Sequence, residues 1–390
     1  MQSLIYFKKL FIAICCVLCI CIAPISCDFA LNVFAEEEFK IDAKSGLLVD
    51  FSSGEILFEQ NADARLPVAS MVKLMTIFLT IEEIEKGNLN LDDCLNTSAN
   101  ASSMGGSQVF IDANSKYKIE DMLKSVIMAS ANDASVALSE HISGSEKQFV
   151  KKMNARAKEL GMNNTLYANS TGLPAPMQYS TAKDCAIILK NLVNNEIYKK
   201  FSTIWMDELV HPSGRKTELV NTNKLIRYYK GCDCGKTGST DEAGYCLSAS
   251  AKKDDMRLIA VVMGAKTAKE RFNQTVLLFN FGFSNFSNQQ IIDMNEKLGE
   301  IDVKKSKIST TGVFAQENYY ALVKKGAESQ FETQIEIDKN ITAPKEKGSV
   351  VGKLTILKNG EKIKEIPLVI NEEIKSITFK EGFKKIIEKF

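Results

Sequence analysis

Residues 67–81 read Pro-Val-Ala-Ser-Met-Val-Lys-Leu-Met-Thr-Ile-Phe-Leu-Thr-Ile, a stretch that is apolar on nearly every side of a helix. A helix that is apolar all round is buried inside a larger protein, and Pro67 suits the first turn of such a helix. The stretch therefore predicts a central helix that other elements cover. It also carries Ser70 and Lys73, which lie one turn apart and so share a side of the helix.

Ser70 and Lys73 together predict a serine nucleophile with a lysine base. Apolar surroundings disfavour the charged ammonium, which lowers the pKa of a lysine and leaves a neutral amine to take the hydroxyl proton. A histidine base is less expected, since the chain has two histidines, His141 and His211, and no Gly-x-Ser-x-Gly. We expect both histidines to be structural or exposed. Ser-x-x-Lys alone is weak evidence, because the pattern recurs, for example at Ser180.

The composition is that of a folded protein with two domains, or with one large domain and an appendage. The chain has 390 residues, of which 45% are hydrophobic, and this content excludes a disordered protein. The formal net charge of +1 gives no basic excess and argues against a nucleic-acid partner. Five of the ten cysteines lie before Asp28, and Cys232-Asp-Cys234 is too tightly spaced for a zinc site. We therefore predict no metal and no cofactor.

Strand and helix patterns mix in the first two thirds of the chain without strict alternation. The strand candidates are 46–51 with 55–58, and 245–251 with 256–264; the helix candidates are 119–141, with a break near 130–133, and 269–281. This mixture predicts an α+β fold around a mainly antiparallel sheet.

Beyond residue 287, short strand-like runs predict a small all-β domain. Its clearest signal is a hairpin over 350–357 and 362–370, since Asn359-Gly360 suits a type I′ turn. The last segment, 377–390, places apolar residues at helical spacing with lysines between them. This pattern is typical of an amphipathic helix at an anionic membrane surface. A helix docked on its own domain would show the same pattern.

The N-terminus predicts export. Lys8 and Lys9 precede an apolar stretch from Leu10 to about Ile25, and Val33-Phe34-Ala35 provides a small-x-Ala cleavage site. An uncleaved anchor is the competing interpretation, but the apolar run is at the lower edge of the length that a membrane span needs. We therefore favour a signal peptide.

Two further motifs follow Ser70 and Lys73 along the chain. Ser130-Ala-Asn132 lies at the predicted helix break, and Lys236-Thr-Gly238 leads into a predicted strand. Each motif alone is weak, but the three in this order resemble the signature of serine β-lactamases and penicillin-binding proteins. Flanking segments narrow the resemblance to low-molecular-mass penicillin-binding proteins of the D-alanyl-D-alanine carboxypeptidase family. These segments are Gly105-Gly-Ser-Gln108, Asn169-Ser-Thr-Gly-Leu173, Asn221-Thr-Asn-Lys224 and Ala243-Gly-Tyr-Cys-Leu247.

The resemblance implies a catalytic role for three side chains. Ser70 would attack the carbonyl of the penultimate D-alanine of a peptidoglycan stem peptide and form an acyl-enzyme, which water then hydrolyses. Lys73 would act as the base, and Ser130 would pass a proton to the leaving amine. Asn132 would hydrogen-bond the substrate amide or hold Lys73.

The resemblance also implies how the substrate is bound. Lys236 and Thr237 would bind the terminal carboxylate, and Gly238 would keep the strand open to substrate. The backbone N–H groups of Ser70 and Ser239 would form the oxyanion hole. The implied partners are peptidoglycan stem peptides, β-lactam antibiotics and, through residues 377–390, a membrane surface.

The family resemblance extends to the division of the chain and its location. It implies an exported protein at the outer face of the cytoplasmic membrane or in the cell wall. The expected segments are a signal peptide (1–35), a penicillin-binding catalytic domain (36–286), a β domain (287–376) and an amphipathic anchor helix (377–390).

Two alternative functions differ from that of a carboxypeptidase in whether and how the acyl group leaves the serine. A class A β-lactamase uses a glutamate in Glu-x-x-Leu-Asn, and no such sequence lies between Asn132 and Lys236. A penicillin sensor or cell-wall-binding module would be acylated without turnover, but such sensors normally carry transmembrane helices, and none is visible after residue 35. The predicted function is therefore a serine-type D-alanyl-D-alanine carboxypeptidase.

Overall fold

An antiparallel sheet of five strands, in the order β2-β1-β9-β8-β7, organises the first domain. The computed structural model describes residues 39–327, 330–378 and 381. The sheet strands are β1 (Ser45–Asp50), β2 (Ile56–Gln60), β7 (Cys232–Thr240), β8 (Gly244–Lys253) and β9 (Met256–Ala265). The α+β fold with a mainly antiparallel sheet is confirmed, and the two predicted strand pairs are β1–β2 and β8–β9.

Nine helices of the described ranges and two small two-stranded sheets complete this domain. The helices are α1 (Lys73–Glu85), α2 (Ala99–Ser102), α3 (Ile119–Met128), α4 (Asn132–Ser143), α5 (Glu146–Glu159), α6 (Ala182–Leu192), α7 (Glu196–Ser202), α8 (Leu225–Tyr228) and α9 (Ala268–Asn285). One sheet pairs β3 (Cys94–Asn96) with β4 (Lys116–Lys118), and the other is a hairpin of β5 (Met206–Val210) and β6 (Lys216–Val220).

Both faces of the central part of the sheet are covered. All six residues of β1 are buried, and since alternate side chains of a strand point to opposite faces, both faces must be packed. Helix α9 lies against one face, where a Cβ at Gly282 would be 2.5 Å from Leu258 Cδ1 and 2.9 Å from Leu48 Cδ2. The absence of a side chain at Gly282 therefore lets α9 approach the sheet closely.

The central helix is buried as predicted but begins later. Every residue from Lys73 to Ile81 is buried, and the helix continues to Glu85. A 3₁₀ turn over Ala69–Val72 precedes it, because Ala69 has a left-handed backbone (φ +46°) that a regular helix does not accept. Pro67 lies ahead of this turn rather than in the first turn of the helix.

The predicted break in the second helical region lies at Ser130, whose backbone is left-handed. Helix α3 ends at Met128 and α4 begins at Asn132, and between them Ser130 has φ +62°. The change of chain direction at Ser130 places its side chain and that of Asn132 at the edge of the central helix.

The second domain is all-β, as predicted. Its strands are β10 (Phe286–Ile292), β11 (Lys297–Lys304), β12 (Thr310–Ala315), β13 (Tyr319–Lys324), β14 (Phe331–Ile337), β15 (Asn340–Thr342), β16 (Val350–Lys358) and β17 (Glu361–Ile370). Six of them form a sheet in the order β14-β16-β17-β12-β11-β15, and β10 pairs with β13. In the predicted hairpin, β16–β17, Asn359 (φ +52°) and Gly360 (φ +85°) both have the positive φ that a type I′ turn requires.

The predicted signal peptide (1–35) lies outside the described residues, as does the predicted terminal helix (377–390) apart from residues 377, 378 and 381. Among the helices that the structure describes, none combines the length and the apolar character needed to cross a bilayer. From Ile41 onward the described residues form one compact unit, and Asn288 of the β domain donates to the Asp50 carboxylate at the end of β1 (3.3 Å).

Candidate active site

The three sequence motifs meet where the start of the central helix, the α3–α4 break and strand β7 come together. Lys73 Nζ lies 3.0 Å from Ser70 Oγ and 2.6 Å from Asn132 Oδ1. Lys236 Nζ lies 2.7 Å from Ser130 Oγ. Five predicted site residues from three distant parts of the chain are thus joined by direct hydrogen bonds.

Lys73 is enclosed completely, with no exposed surface. Its ammonium group donates to Ser70 Oγ, to Asn132 Oδ1 and to the carbonyl oxygen of Thr171. Burial is the main reason that the pKa of Lys73 lies well below its usual value, and the positive charge of Lys236 adds to the effect. The buried carboxylate of Asp133 acts in the opposite direction. The neutral amine that a base requires is therefore favoured.

Asn132 is held in one orientation. Its Nδ2 donates to the Gly105 carbonyl oxygen (2.7 Å), and its backbone N–H donates to the Ser107 carbonyl oxygen (2.7 Å). Because a carbonyl can only accept, Nδ2 must face Gly105 and Oδ1 must face Lys73. Of the two roles expected for Asn132, the structure places it in the one that holds Lys73.

Lys236 is also buried, with 1% of its surface exposed. Its Nζ donates to Ser130 Oγ and to the carbonyl oxygen of Thr237 (2.9 Å). Burial lowers the pKa of Lys236 to about 7, with a further contribution from the charge of Arg271. At neutral pH this lysine can therefore exchange a proton with its surroundings.

Two glycines allow the backbone around Ser70 to pack closely. A Cβ at Gly238 would lie 2.6 Å from the Val68 carbonyl oxygen and 3.0 Å from the Ser70 nitrogen. Gly238 is thus required for β7 to lie against the segment that carries Ser70, and it also lines the cleft beside Ser70. On the opposite side, Gly172 (φ +83°) lies against Ala69.

The Gly172 loop is fixed by the side chain of Asn169. Asn169 Oδ1 accepts from the Gly172 nitrogen (2.7 Å), and its Nδ2 donates to the Leu173 carbonyl oxygen (2.9 Å). The carbonyl oxygen of Ser170, in the same loop, accepts from Thr76 of the central helix (2.8 Å). The loop therefore forms a rigid support that presents the Thr171 carbonyl to Lys73.

A cleft of about 420 Å³ opens beside these groups. Its walls include Ser70, Ser130, Thr237, Ser239 and Arg271. The Arg271 guanidinium donates to the carbonyl oxygens of Gly238 (3.2 Å) and Cys246 (3.4 Å), so it is fixed behind β7. The cleft thus combines a serine, a buried lysine pair and an arginine, which suits acyl transfer from a substrate that carries a carboxylate.

Sequence reasoning missed Arg271 and Thr171. Arg271 lies on α9, outside all three motifs, and a single arginine in a helix carries no sequence signal for a buried position. Thr171 acts through its backbone carbonyl, which every residue has. It does lie in the quoted segment Asn169-Ser-Thr-Gly-Leu173, which was the only available indication.

Among the described residues, no histidine or cysteine side chain hydrogen-bonds to Ser70, Lys73, Ser130, Asn132 or Lys236. His211 is buried and hydrogen-bonds to Tyr117 Oη (2.7 Å) and Thr217 Oγ1 (2.8 Å), and His141 is exposed, as expected. Burial and the charge of Arg215 lower the pKa of His211. The five cysteines that the structure describes are free thiols. Cys94 is exposed, and the other four are buried: Cys185, Cys232, Cys234 and Cys246.

A family model described as D-alanyl-D-alanine carboxypeptidase, Peptidase S11, matches residues 32–267. The chain belongs to this family. A second model, the C-terminal domain of penicillin-binding protein 5, matches residues 286–376. This family member is a serine-type D-alanyl-D-alanine carboxypeptidase with the fold of a penicillin-binding protein.

Individual relatives are similar to this chain, in sequence or in structure, over most of its length. The D-alanyl-D-alanine carboxypeptidase DacF of Bacillus subtilis (strain 168) is 42% identical over 358 residues, which cover 90% of this chain and 92% of that protein. Penicillin binding protein 5 from Haemophilus influenzae superimposes with a TM-score of 0.70 at 31% identity, over 87% of this chain and 99% of that one. A peptidoglycan synthesis regulatory factor, PBP3, from Streptococcus pneumoniae gives a TM-score of 0.72 at 27% identity, over 86% of this chain and 100% of that one.

Proposed function

We propose that this carboxypeptidase removes the terminal D-alanine of peptidoglycan stem peptides through an acyl-enzyme on Ser70, and that penicillin acylates the same serine. The observation that carries the proposal is the 3.0 Å contact between Ser70 Oγ and the enclosed amine of Lys73. A hydroxyl beside a neutral amine can lose its proton as it attacks a carbonyl carbon.

The hydrogen-bond acceptors around Lys73 orient its lone pair toward Ser70. A neutral amine has two N–H groups and one lone pair. Asn132 Oδ1 and the Thr171 carbonyl can only accept, so they take the two N–H groups. The lone pair is left facing Ser70 Oγ, which becomes the proton donor. Lys73 therefore acts as the base, and Asn132 and Thr171 set its direction.

Ser130 and Lys236 carry the proton to the leaving group. When the acyl bond forms, the C–N bond of the substrate breaks and the amine of the terminal residue needs a proton. Ser130 Oγ accepts from Lys236 Nζ, so the hydroxyl proton of Ser130 is free to move to that amine. Because the pKa of Lys236 is lowered to about 7, Lys236 can resupply Ser130.

The terminal carboxylate of the substrate binds between Thr237 and Arg271, with the charge of Lys236 behind them. The backbone N–H groups of Ser70 and Ser239 form the oxyanion hole for the tetrahedral intermediate. Two preorganised donors of this kind typically supply a large share of acyl-transfer catalysis. The close approach of β7 to Ser70, which Gly238 permits, brings these two N–H groups to the same side of the carbonyl.

The β-lactamase alternative requires a carboxylate that activates water for deacylation. Within the described part of the chain, no carboxylate is hydrogen-bonded to Ser70 or Lys73. We therefore expect slow release of the penicilloyl adduct together with release of D-alanine from D-alanyl-D-alanine peptides.

The remaining segments fit an enzyme outside the cytoplasm. We propose that residues 1–35 are a cleaved signal peptide, that 36–286 form the catalytic domain and that 287–376 form a β domain. In this proposal residues 377–390, with four lysines and two glutamates, bind an anionic membrane surface and hold the enzyme at the outer face of the membrane.

Intact-mass measurement after penicillin treatment tests the proposal. The wild type should gain one penicilloyl group, and Ser70→Ala should gain none; an adduct on the variant would exclude Ser70 as the nucleophile. A parallel assay of D-alanine release from an acyl-D-alanyl-D-alanine peptide separates the alternatives. Stoichiometric acylation without D-alanine release would support a penicillin sensor, and rapid penicillin hydrolysis would support a β-lactamase.

A further inference from the structure

One loop, residues 105–112, holds Asn132 and Asp133 at the start of α4. It does so through four backbone groups: the carbonyl oxygens of Gly105 and Ser107, which accept from Asn132, and the nitrogens of Val109 and Ile111, which donate to Asp133. Asp133 has no exposed surface, and its charge acts on the pKa of Lys73, which Asn132 contacts directly. The surroundings of the base therefore depend on where this loop lies.

The turn of the β5–β6 hairpin holds the same loop through two side chains. Arg215 Nη2 donates to the Phe110 carbonyl oxygen and lies 3.3 Å from Asp112 Oδ1. Tyr117 Oη accepts from the Asp112 nitrogen (3.0 Å) and lies 2.7 Å from His211 Nδ1. We call these contacts of Arg215 and His211 with residues 110–117 the hairpin contact. It connects the loop that holds Asn132 to the hairpin.

The hairpin contact requires a neutral imidazole at His211. Arg215 Nη2 lies 3.1 Å from His211 Nδ1, and because a guanidinium can only donate, Nδ1 must carry the lone pair. The proton is then on Nε2, which donates to Thr217 Oγ1 (2.8 Å). Protonation of Nδ1 would remove the acceptor and place a second positive charge beside Arg215, so it would weaken the contact.

Titratable groups from four parts of the chain act on His211: Arg215 in its own turn, Tyr117 on β4, Asp112 in the loop and Asp133 on α4. Burial and the charge of Arg215 lower the pKa of His211 from 6.5, and the two carboxylates act in the opposite direction. An imidazole released from the contact binds a proton more readily than one held in it. The contact is therefore at full strength above about pH 6.5 and weakens as the pH falls below this value.

The same hairpin forms a wall of the active-site cleft. Trp205, just before β5, and Val220, at the end of β6, both line the cleft, and so does Ser107 of the loop. The Trp205 carbonyl oxygen accepts from the Asn221 nitrogen (2.9 Å), which joins the two strand ends. Trp205 is the one tryptophan of the chain. A movement of the hairpin therefore reaches the cleft, and the fluorescence of a single residue reports it.

We propose that neutral His211 is a positioning residue for the acylation step. It keeps the 105–112 loop and the β5–β6 hairpin together, and its protonation releases them, so that Asn132 no longer directs Lys73 and the cleft wall moves. The acylation rate then falls in mildly acidic solution by more than the protonation of Lys73 alone explains. The inference rests on the proposed function, and no covalent bond is made or broken at His211.

Tryptophan fluorescence of the full-length protein, titrated from pH 7.5 to 5.0, tests the inference. The wild-type emission should change with a midpoint below pH 6.5, the ordinary pKa of histidine. His141→Gln replaces the exposed histidine of α4; it is the matched control and should keep the transition. His211→Gln should lack it, because a glutamine amide can accept from Arg215 and donate to Thr217 without titrating. A transition that persists unchanged in His211→Gln, or that is absent from the wild type, would overturn the proposal.

Nuclear magnetic resonance follows the same transition without replacing His211. The chain has two histidines, so His141→Gln labelled with ¹⁵N-histidine gives the imidazole signals of His211 alone. At pH 7.5 we expect the shifts of the tautomer that carries its proton on Nε2. On acidification the imidazole should titrate at the same midpoint as the Trp205 fluorescence. A proton on Nδ1 at pH 7.5, or two different midpoints, would contradict the proposal.

Acylation rates connect the transition to the chemistry. The rate of acylation by penicillin is measured at pH 6.5 and 5.5, and each value is divided by the rate of the same protein at pH 7.5. Protonation of Lys73 lowers the rate in every protein, so the difference between proteins reports His211. We expect the wild type and His141→Gln to lose several-fold more of their rate at pH 5.5 than His211→Gln. Equal losses in all three proteins would show that His211 does not position the site.

The outcomes distinguish this inference from the proposed function. If the wild type is acylated and releases D-alanine but His211→Gln has the same pH profile, the positioning role is wrong and the carboxypeptidase proposal stands. If the wild type is not acylated at any pH, the proposed function fails and the positioning role fails with it.

Discussion

A Cβ placed on Gly172 would lie 1.9 Å from the carbonyl oxygen of Ala69 and 2.8 Å from the nitrogen of Ser70. No backbone can absorb an overlap of this size without moving. The loop that presents a carbonyl to Lys73 is thus in direct contact with the peptide unit that precedes the nucleophile. The position of Ser70 therefore depends on a glycine that lies outside the three motifs of the site.

Gly172→Ala should therefore displace Ser70. We expect the rate of acylation by penicillin to fall at least a hundredfold, because small displacements of reacting groups have large effects on rate. Gly214→Ala is the matched control, since Gly214 also has φ +83° but has nothing within 4 Å of its Cβ position. The control should lose about 1–2 kcal/mol of stability and keep its acylation rate. Equal rates for the two variants would contradict the contact.

Lys73→Arg should slow acylation strongly. Arginine keeps the positive charge but is not deprotonated in proteins, so it cannot act as a base. We expect a loss of about 10²–10⁴ in the acylation rate constant, measured by stopped-flow or by mass spectrometry of quenched samples. In the wild type the rate should rise with pH and reach its plateau below the pH range in which an ordinary lysine titrates, because burial lowers the pKa of Lys73. A wild-type rate in the variant would exclude Lys73 as the base.

Lys236→Met should flatten the dependence of stability on pH. The pKa of Lys236 is about 7 in the folded protein against 10.5 as its ordinary value. Between these values the unfolded chain binds a proton that the folded chain does not, so stability rises with pH by up to about 1.4 kcal/mol per pH unit. Urea unfolding at pH 7.5 and 8.5 should show a smaller increase in the variant than in the wild type. Identical increases would mean that Lys236 stays charged.

Alkylation of the native protein should modify the exposed Cys94 and spare the four buried cysteines. Cys94 is exposed, whereas Cys185, Cys232, Cys234 and Cys246 are buried, and burial raises the pKa of each of these four thiols. Peptide mapping after brief iodoacetamide treatment should find Cys94 modified in the native protein and all five modified after unfolding. Rapid native modification of Cys234 or Cys246 would instead favour a redox role beside β7.

Deletion of residues 377–390 should release the enzyme from membranes. The intact chain should sediment with vesicles that contain anionic lipid and much less with neutral vesicles, because lysines next to apolar residues favour an anionic surface. The truncated chain should remain in the supernatant with both. If truncation leaves sedimentation unchanged, the segment is not the anchor and docking on the β domain is the better interpretation.

Spacing alone predicted only the local parts of the site, whereas Ser130, Asn132 and Lys236 were predicted through the family resemblance. Ser70 and Lys73 are one turn apart, so helix geometry alone brings their side chains together, and the predicted buried helix and the hairpin at Asn359 are equally local. Arg271 and Trp205 reach the cleft only through the pairing of distant strands and helices. Their positions depend on the whole topology, which residue spacing does not encode.

The backbone conformations were also beyond prediction. Alanine is the residue most favourable to helix, so nothing in the sequence indicated a left-handed Ala69 or the delayed start of α1. Likewise, a side chain at position 238 is excluded by the carbonyl of Val68, about 170 positions earlier in the chain. The Lys-Thr-Gly motif contains this glycine but does not show why a glycine is needed.

The conformation of Ala69 has an evolutionary consequence. A left-handed alanine costs about 1–2 kcal/mol that glycine would not, so Ala69→Gly offers a gain in heat resistance from one substitution. Glycine would also loosen the peptide that aims the nucleophile. Laboratory selection for thermal tolerance alone should reach this position early and yield slower enzymes, whereas selection that also requires cell-wall activity should retain the alanine.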